Sequence, residues 1–147
     1  MFPSQTLGST TQLGADSLLE PFVDQWAALL TTYRRDGRSV STPVNVVVDQ
    51  ERVLFRTYEQ TGKFKRLRHD SRVTLQACDA RGRATNDSVL HGVARLLTSD
   101  LDEAAGRQID AKYPLFQKRL VRLAHRLAGY RTVHFEVVPG EVARTGV

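Results

Sequence analysis

The strongest constraint on this chain is an Asp36-Gly37 pair set between two runs rich in β-branched residues. Asp-Gly supplies the positive φ angles that a tight hairpin needs, so Trp26 to Arg34 and Ser39 to Val48 are expected to pair as strands around a turn at Arg35 to Arg38. A second polar turn, Asp49-Gln50-Glu51-Arg52, leads to a strand from Val53 to Tyr58, in which alternation puts Val53, Phe55 and Thr57 on one face. Further strands are expected over Arg72 to Asp79, Val89 to Thr98 and Arg131 to Val138, with a polar loop from Arg81 to Ser88. Elsewhere the period is helical. A short helix follows Tyr58. Leu101, Ala105 and Ile109 share a helix face, as do Phe116, Leu120, Leu123 and Leu127 in a segment opened by Pro114 and ended by Gly129. Asp16 is placed to cap another short helix reaching Asp24. Residues 1–15 are rich in Ser, Thr, Gln and Gly and are expected to form a flexible tail, leaving 16–147 as one domain. Hairpins followed by β-α-β pieces imply a mainly β fold with α elements, a closed or split β-barrel with peripheral helices.

Composition narrows the function classes. Cys78 is the single cysteine among 147 residues, which excludes an intrachain disulfide, disfavours a zinc cage and fits a reducing cytoplasm. The longest apolar run, near Val44 to Val48, is far too short for a membrane span, and the N-terminus lacks the pattern of a signal peptide. The net charge of +5 suits an anionic partner, whether phosphate, polycarboxylate or nucleic acid, without choosing among them.

The stretch that carries chemistry runs from Thr57 to Arg68, T-Y-E-Q-T-G-K-F-K-R-L-R. A strand ends, Thr61 takes an N-cap position, and Gly62 and Lys63 open a helix. Helix starts present unpaired N–H groups and the positive end of the dipole, and so bind phosphate. A hydroxyl and an ammonium beside those amides complete such a site. Phe64 and Leu67 are spaced to anchor the helix, with Lys65, Arg66 and Arg68 near the surface. Arg66 joins the cofactor-binding candidates as a partner for an anionic tail. The pattern alone also fits a solvated basic helix with an ordinary Thr cap.

Other candidates read as structural. His69, His91, His125 and His134 form no metal-ligand pair at helical spacing, and no metal is assigned. His134 and Glu136 share a strand face and suit pairing or solvent-facing roles. Cys78 reads as a small buried thiol. Trp26 and Tyr33 read as packing residues. Lys118, Arg119, Arg122 and Arg126 make one solvated helix face, or a surface for an anionic tail. The aromatics Tyr113 and Phe116 look like packing, and no nucleic-acid module is visible. Pro43, which cannot donate a ladder hydrogen bond, marks an edge, a bulge or a missing partner.

The motifs D-G-R-S-V-S-T-P-V, then F-R-T-Y-E-Q-T-G-K-F-K-R-L-R-H-D-S-R-V-T-L, then C-D-A-R-G-R carry a family resemblance over about residues 25–140. The chain resembles the pyridoxamine-5′-phosphate-oxidase-like split-barrel superfamily, and more closely its actinobacterial branch of flavin/deazaflavin oxidoreductases. The resemblance implies a homodimer with a cofactor groove between subunits. It implies phosphate contacts at Thr57, Thr61 and Lys63, beside Gly62, whose place at the helix start makes it a cofactor-binding candidate. It places Ser41, Thr42 and Val44 on the strand beneath the cofactor ring, with Gln76 and Cys78 on the adjacent strand. The chain departs from the oxidases at Pro43 and Asn45, where they carry basic residues, and at Gly62, where they often carry Arg. Both departures point away from FMN and towards the deazaflavin coenzyme F420.

The implied activity is F420-dependent oxidoreduction, with hydride passing between the reduced cofactor and an electrophilic small molecule. No proton donor is identified, because in hydride transfer the cofactor carries the chemistry. The alternatives are an FMN-dependent oxidoreductase of the same fold, a non-catalytic F420-binding protein, and a basic nucleic-acid-binding protein.

Overall fold

A computed structural model describes residues 18–113 and 131–140. Within them a helix, α1, occupies residues 18–23. The strands are β1 (Ala27–Tyr33), β2 (Ser39–Val44), β3 (Val46–Asp49), β4 (Arg52–Tyr58), β5 (Arg72–Cys78), β6 (Ala84–Leu96) and β7 (Thr132–Pro139). Two more helices are α2 (Gly62–His69) and α3 (Ser99–Lys112). The expected helix after Pro114, the Asp16 cap, the N-terminal tail and the cations Lys118, Arg119, Arg122 and Arg126 lie outside the described residues. No described helix is long and apolar enough to cross a membrane.

The hairpin turn forms as its sequence dictates. Gly37 has φ +89°, and its amide donates to Arg34 O at 2.9 Å. The seven strands follow the order β2-β1-β5-β6-β7-β4-β3, and every neighbouring pair is antiparallel. The two ends of that order, β2 and β3, are halves of one chain segment. The sequence suggests a single strand from Ser39 to Val48. Instead it breaks at Asn45, the first half pairing with β1 and the second with β4, and this bend closes the sheet into a split β-barrel. The break removes ladder partners from nearby backbone, and side chains replace them. Tyr113 Oη lies 2.7 Å from Trp26 O and 3.0 Å from Val46 O. Asn45 Nδ2 donates to Trp26 O at 3.1 Å, and Lys112 Nζ donates to Val46 O at 2.7 Å. Pro43 is tolerated because β2 ends the strand order.

The barrel interior is filled by alternate residues, among them Leu30, Val46, Phe55, Leu75, Phe135 and Val137. Phe55 and Phe135 stack with centroids 5.2 Å apart. A second cluster, Leu54, Leu97, Ala105, Ile109 and Tyr113, seats α3 on the outside of the sheet. So β4 is buried on both faces at its centre. Leu101, expected on the packed face of α3, is exposed, and Ala105, Ile109 and Tyr113 do the packing. The expected loop Arg81 to Ser88 is also shorter than its polarity suggests. β6 begins at Ala84, and its register against β5 slips between Gln76 and Cys78, leaving an irregular stretch before Val89. Asp79 ties the preceding turn, its carboxylate accepting from the amides of Arg81 and Arg83 at 2.9 and 3.0 Å.

Candidate functional site

The site is built around the junction of β4 and α2. Thr61 caps α2 in extended backbone, and its hydroxyl accepts from Phe64 N at 3.3 Å. That hydroxyl also donates to Tyr58 O at 2.8 Å. Its single proton is therefore used, so Thr57 Oγ1, 3.1 Å away, is the donor in the Thr57–Thr61 contact. The two threonines are brought together as expected, but both hydroxyl protons serve the helix start. Donors towards a ligand are left to the first-turn amides at Gly62 and Lys63 and to nearby cations.

Phe64 and Leu67 anchor α2 in the core, each contributing about 1.5–3 kcal/mol of burial. This anchoring draws the polar face of α2 against the barrel. Lys63 is half-buried. Burial, and then the neighbouring Arg66, hold its ammonium below the ordinary lysine value. Arg66 does not remain near the surface as the sequence suggests. Its Nε donates to Thr32 Oγ1 on β1 at 2.6 Å, and burial, then Arg34, lower its pKa. Among the described residues, no carboxylate forms an ion pair with Lys63 or Arg66. Lys65 and Arg68 are exposed as expected, with Arg68 lying 5.8 Å from the Phe64 ring centroid.

The remaining candidates spread over the barrel wall. Ser41 is exposed on β2, its hydroxyl 2.7 Å from Thr31 Oγ1. Thr42 points its hydroxyl into a buried position, with no hydrogen-bond partner among the described residues. Gln76 is partly buried and donates to Asn86 O at 3.0 Å, so its amide group is engaged within the sheet. Val44 sits in the core, and Cys78 is fully buried, its thiol pushed up by burial and then by Asp79. Neither of these side chains is presented at the surface. Sequence reasoning missed Thr32 and Arg34. The available signal for Thr32 was a hydroxyl at a strand position whose neighbours on the same face, Ala28 and Leu30, are core residues.

His134 and Glu136 have the pairing roles expected of them. Arg56 Nε donates to His134 Nε2 at 3.0 Å, which leaves the ring proton on Nδ1 to donate to Asp102 Oδ1 at 2.8 Å. Arg56 also pairs with Asp110 at 2.9 Å. Arg52 pairs with Glu136 at 2.6 Å and with Asp49 at 2.9 Å. This network joins α3 to β4 and β7. Trp26 packs edge-on against Tyr113 but keeps about half its surface exposed.

The family model described as pyridoxamine 5′-phosphate oxidase matches residues 16–137. No curated protein matches the sequence. Solved structures are similar in fold at low identity. HutZ, the heme storage protein from Vibrio cholerae, is 16% identical with a TM-score of 0.60, over 85% of this chain and 89% of that one. A structure described as an F420 reductase is 16% identical with a TM-score of 0.55, over 85% of this chain and 92% of that one. A heme binding protein from Mycobacterium smegmatis is 14% identical with a TM-score of 0.58, over 84% of this chain and 50% of that one.

Proposed function

The chain belongs to the pyridoxamine 5′-phosphate oxidase family, and from that premise we propose that it is a cytoplasmic oxidoreductase that binds the deazaflavin coenzyme F420, with FMN as the alternative. The carrying observation is the pair Lys63 and Arg66: two partly buried cations whose charges meet at a helix start, with no carboxylate paired to them among the described residues. Partly buried charge without compensation costs free energy, and a bound phosphate lowers that cost. The buried Thr42 hydroxyl on β2, which has no hydrogen-bond partner among the described residues, adds a polar group to the wall that would support the ring. At the two β2–β3 positions where an FMN site would supply cations, Pro43 has no charge and Asn45 is bonded to Trp26 O. The similarity to a protein described as an F420 reductase agrees in direction.

In this reading Lys63, Arg66 and the first amides of α2 hold the phosphate, and β2 and β5 carry the ring. The bound cofactor supplies hydride for an electrophilic small molecule. A second copy of the chain completes the groove. Its partner face is the outer side of β2, β1, β5 and β6, where Pro43, Leu29, Gln76 and Val89 form one uncharged row across the register. Light scattering should then give a dimer at micromolar concentration. A monomer that still binds cofactor overturns the assembly.

Equilibrium titration with F420, FMN, heme and single-stranded DNA tests the function. F420 is expected to bind tightest. Equal or stronger FMN binding overturns the cofactor choice, and binding of heme or DNA alone overturns the flavin-type reading.

A further inference from the structure

We propose that Gly62 and Arg66 form one functional unit, in which Gly62 leaves open the space where the Arg66 guanidinium lies, so that Arg66 joins Lys63 as a second phosphate ligand. The inference rests on the reading above, that the start of α2 holds a cofactor phosphate. Residues 62 and 66 are four apart on one helix, so their side chains share a face. A β-carbon at position 62 would stand 2.7 Å from Arg66 Nη1, 3.6 Å from Cζ and 3.9 Å from Nη2. The guanidinium thus folds back over the first turn of its own helix. Its placement is held from the other side, because Nε donates to the fully buried Thr32 at 2.6 Å. With Nε engaged there, Nη1 and Nη2 remain to present N–H groups beside the Gly62 and Lys63 amides. The backbone itself does not demand glycine here, since Gly62 lies outside the left-handed region. Space for the guanidinium is the reason for glycine that the geometry supplies.

The clash at position 62 falls on the far end of a flexible side chain, so Gly62→Ala should fold and retain its melting temperature while displacing the guanidinium. The test is titration of the full chain with F420 and FMN in wild type, Lys63→Ala, Gly62→Ala, Arg66→Ala and the Gly62→Ala/Arg66→Ala double variant. Loss of one charged hydrogen-bond partner predicts about a tenfold or greater weakening for Gly62→Ala and for Arg66→Ala. The double variant should be no weaker than Arg66→Ala alone, because both changes remove the same group. Wild-type affinity in Gly62→Ala, or losses that multiply in the double variant, overturns the unit. If Lys63→Ala still weakens binding in that case, the phosphate reading stands without it. If wild type binds neither cofactor, the phosphate reading itself fails, and the unit with it.

Discussion

Two clusters of cations flank β4, and they are used in opposite ways. On the outer face, Arg52 and Arg56 reach Asp49, Glu136, Asp110 and His134, each at 3.0 Å or less. On the inner side, where Thr57 points, Arg66 meets the Thr32 hydroxyl and the repulsion of Arg34, and Lys63 lies in the field of Arg66. The side-chain chemistry is nearly the same; what differs is whether a carboxylate is supplied. A compensated cluster fixes a helix to a sheet. The other is held in place by the apolar anchors Phe64 and Leu67 and meets no carboxylate among the described residues.

The largest expected effect breaks the compensated side. The Arg56 side chain is only 11% exposed, and removing it strands Asp110 and the His134–Asp102 pair. Arg56→Met should cost about 3 kcal/mol in chemical denaturation, the low end for a broken buried pair because Asp110 and Asp102 are partly solvated. The matching Arg66→Met should change stability by about 1 kcal/mol or less, since a lost hydrogen bond is offset by relieved repulsion. Equal losses in the two variants would erase the distinction between the clusters.

Next in size is binding at the uncompensated side. Lys63→Ala should weaken cofactor binding by about 1.5–3 kcal/mol with the fold intact. Unchanged affinity in a folded variant removes Lys63 from the site. Thr61→Ala should lower stability by about 1 kcal/mol through loss of the cap, measurable as a shifted denaturation midpoint.

The pH dependence sharpens the contrast further. Lys63 has a folded pKa below its ordinary 10.5. The unfolded chain therefore holds that proton more tightly, and stability from this group rises with pH between the lowered value and 10.5. Cofactor affinity should fall across the same interval as the ammonium is lost. Lys63→Met should flatten both trends relative to wild type; parallel curves for the two proteins would show that Lys63 is not the group involved. The smallest effect concerns Lys65 and Arg68, which are exposed. Each added glutamate on the F420 tail should tighten binding by a few tenths of a kcal/mol at low salt, and less at high salt. Identical affinity for all tail lengths at low salt leaves these two residues as a solvated face.

What could be read from the sequence alone was local. The Asp36-Gly37 turn, the Thr61 cap, the α2 anchors and the alternation of β4 depend on φ preferences and hydrogen bonds within a few residues, and these act in any context. So the barrel class and the meeting of Thr57 and Thr61 at the start of α2 were legible. The rest depended on which distant segments become neighbours. The break at Asn45 follows from the need of one segment to pair with β1 and β4 at once, and its backbone groups are met by Lys112 and Tyr113, more than sixty positions away. The irregular pairing before Val89 is likewise a property of β5 and β6 together. Arg66 read as a surface cation because nothing nearby in sequence binds it, and Thr32, thirty-four residues earlier, turns it inward. Whether a cation is compensated cannot be seen in a linear chain. Ion pairing acts over about 4 Å of space, and only tertiary structure sets which carboxylates come within that reach.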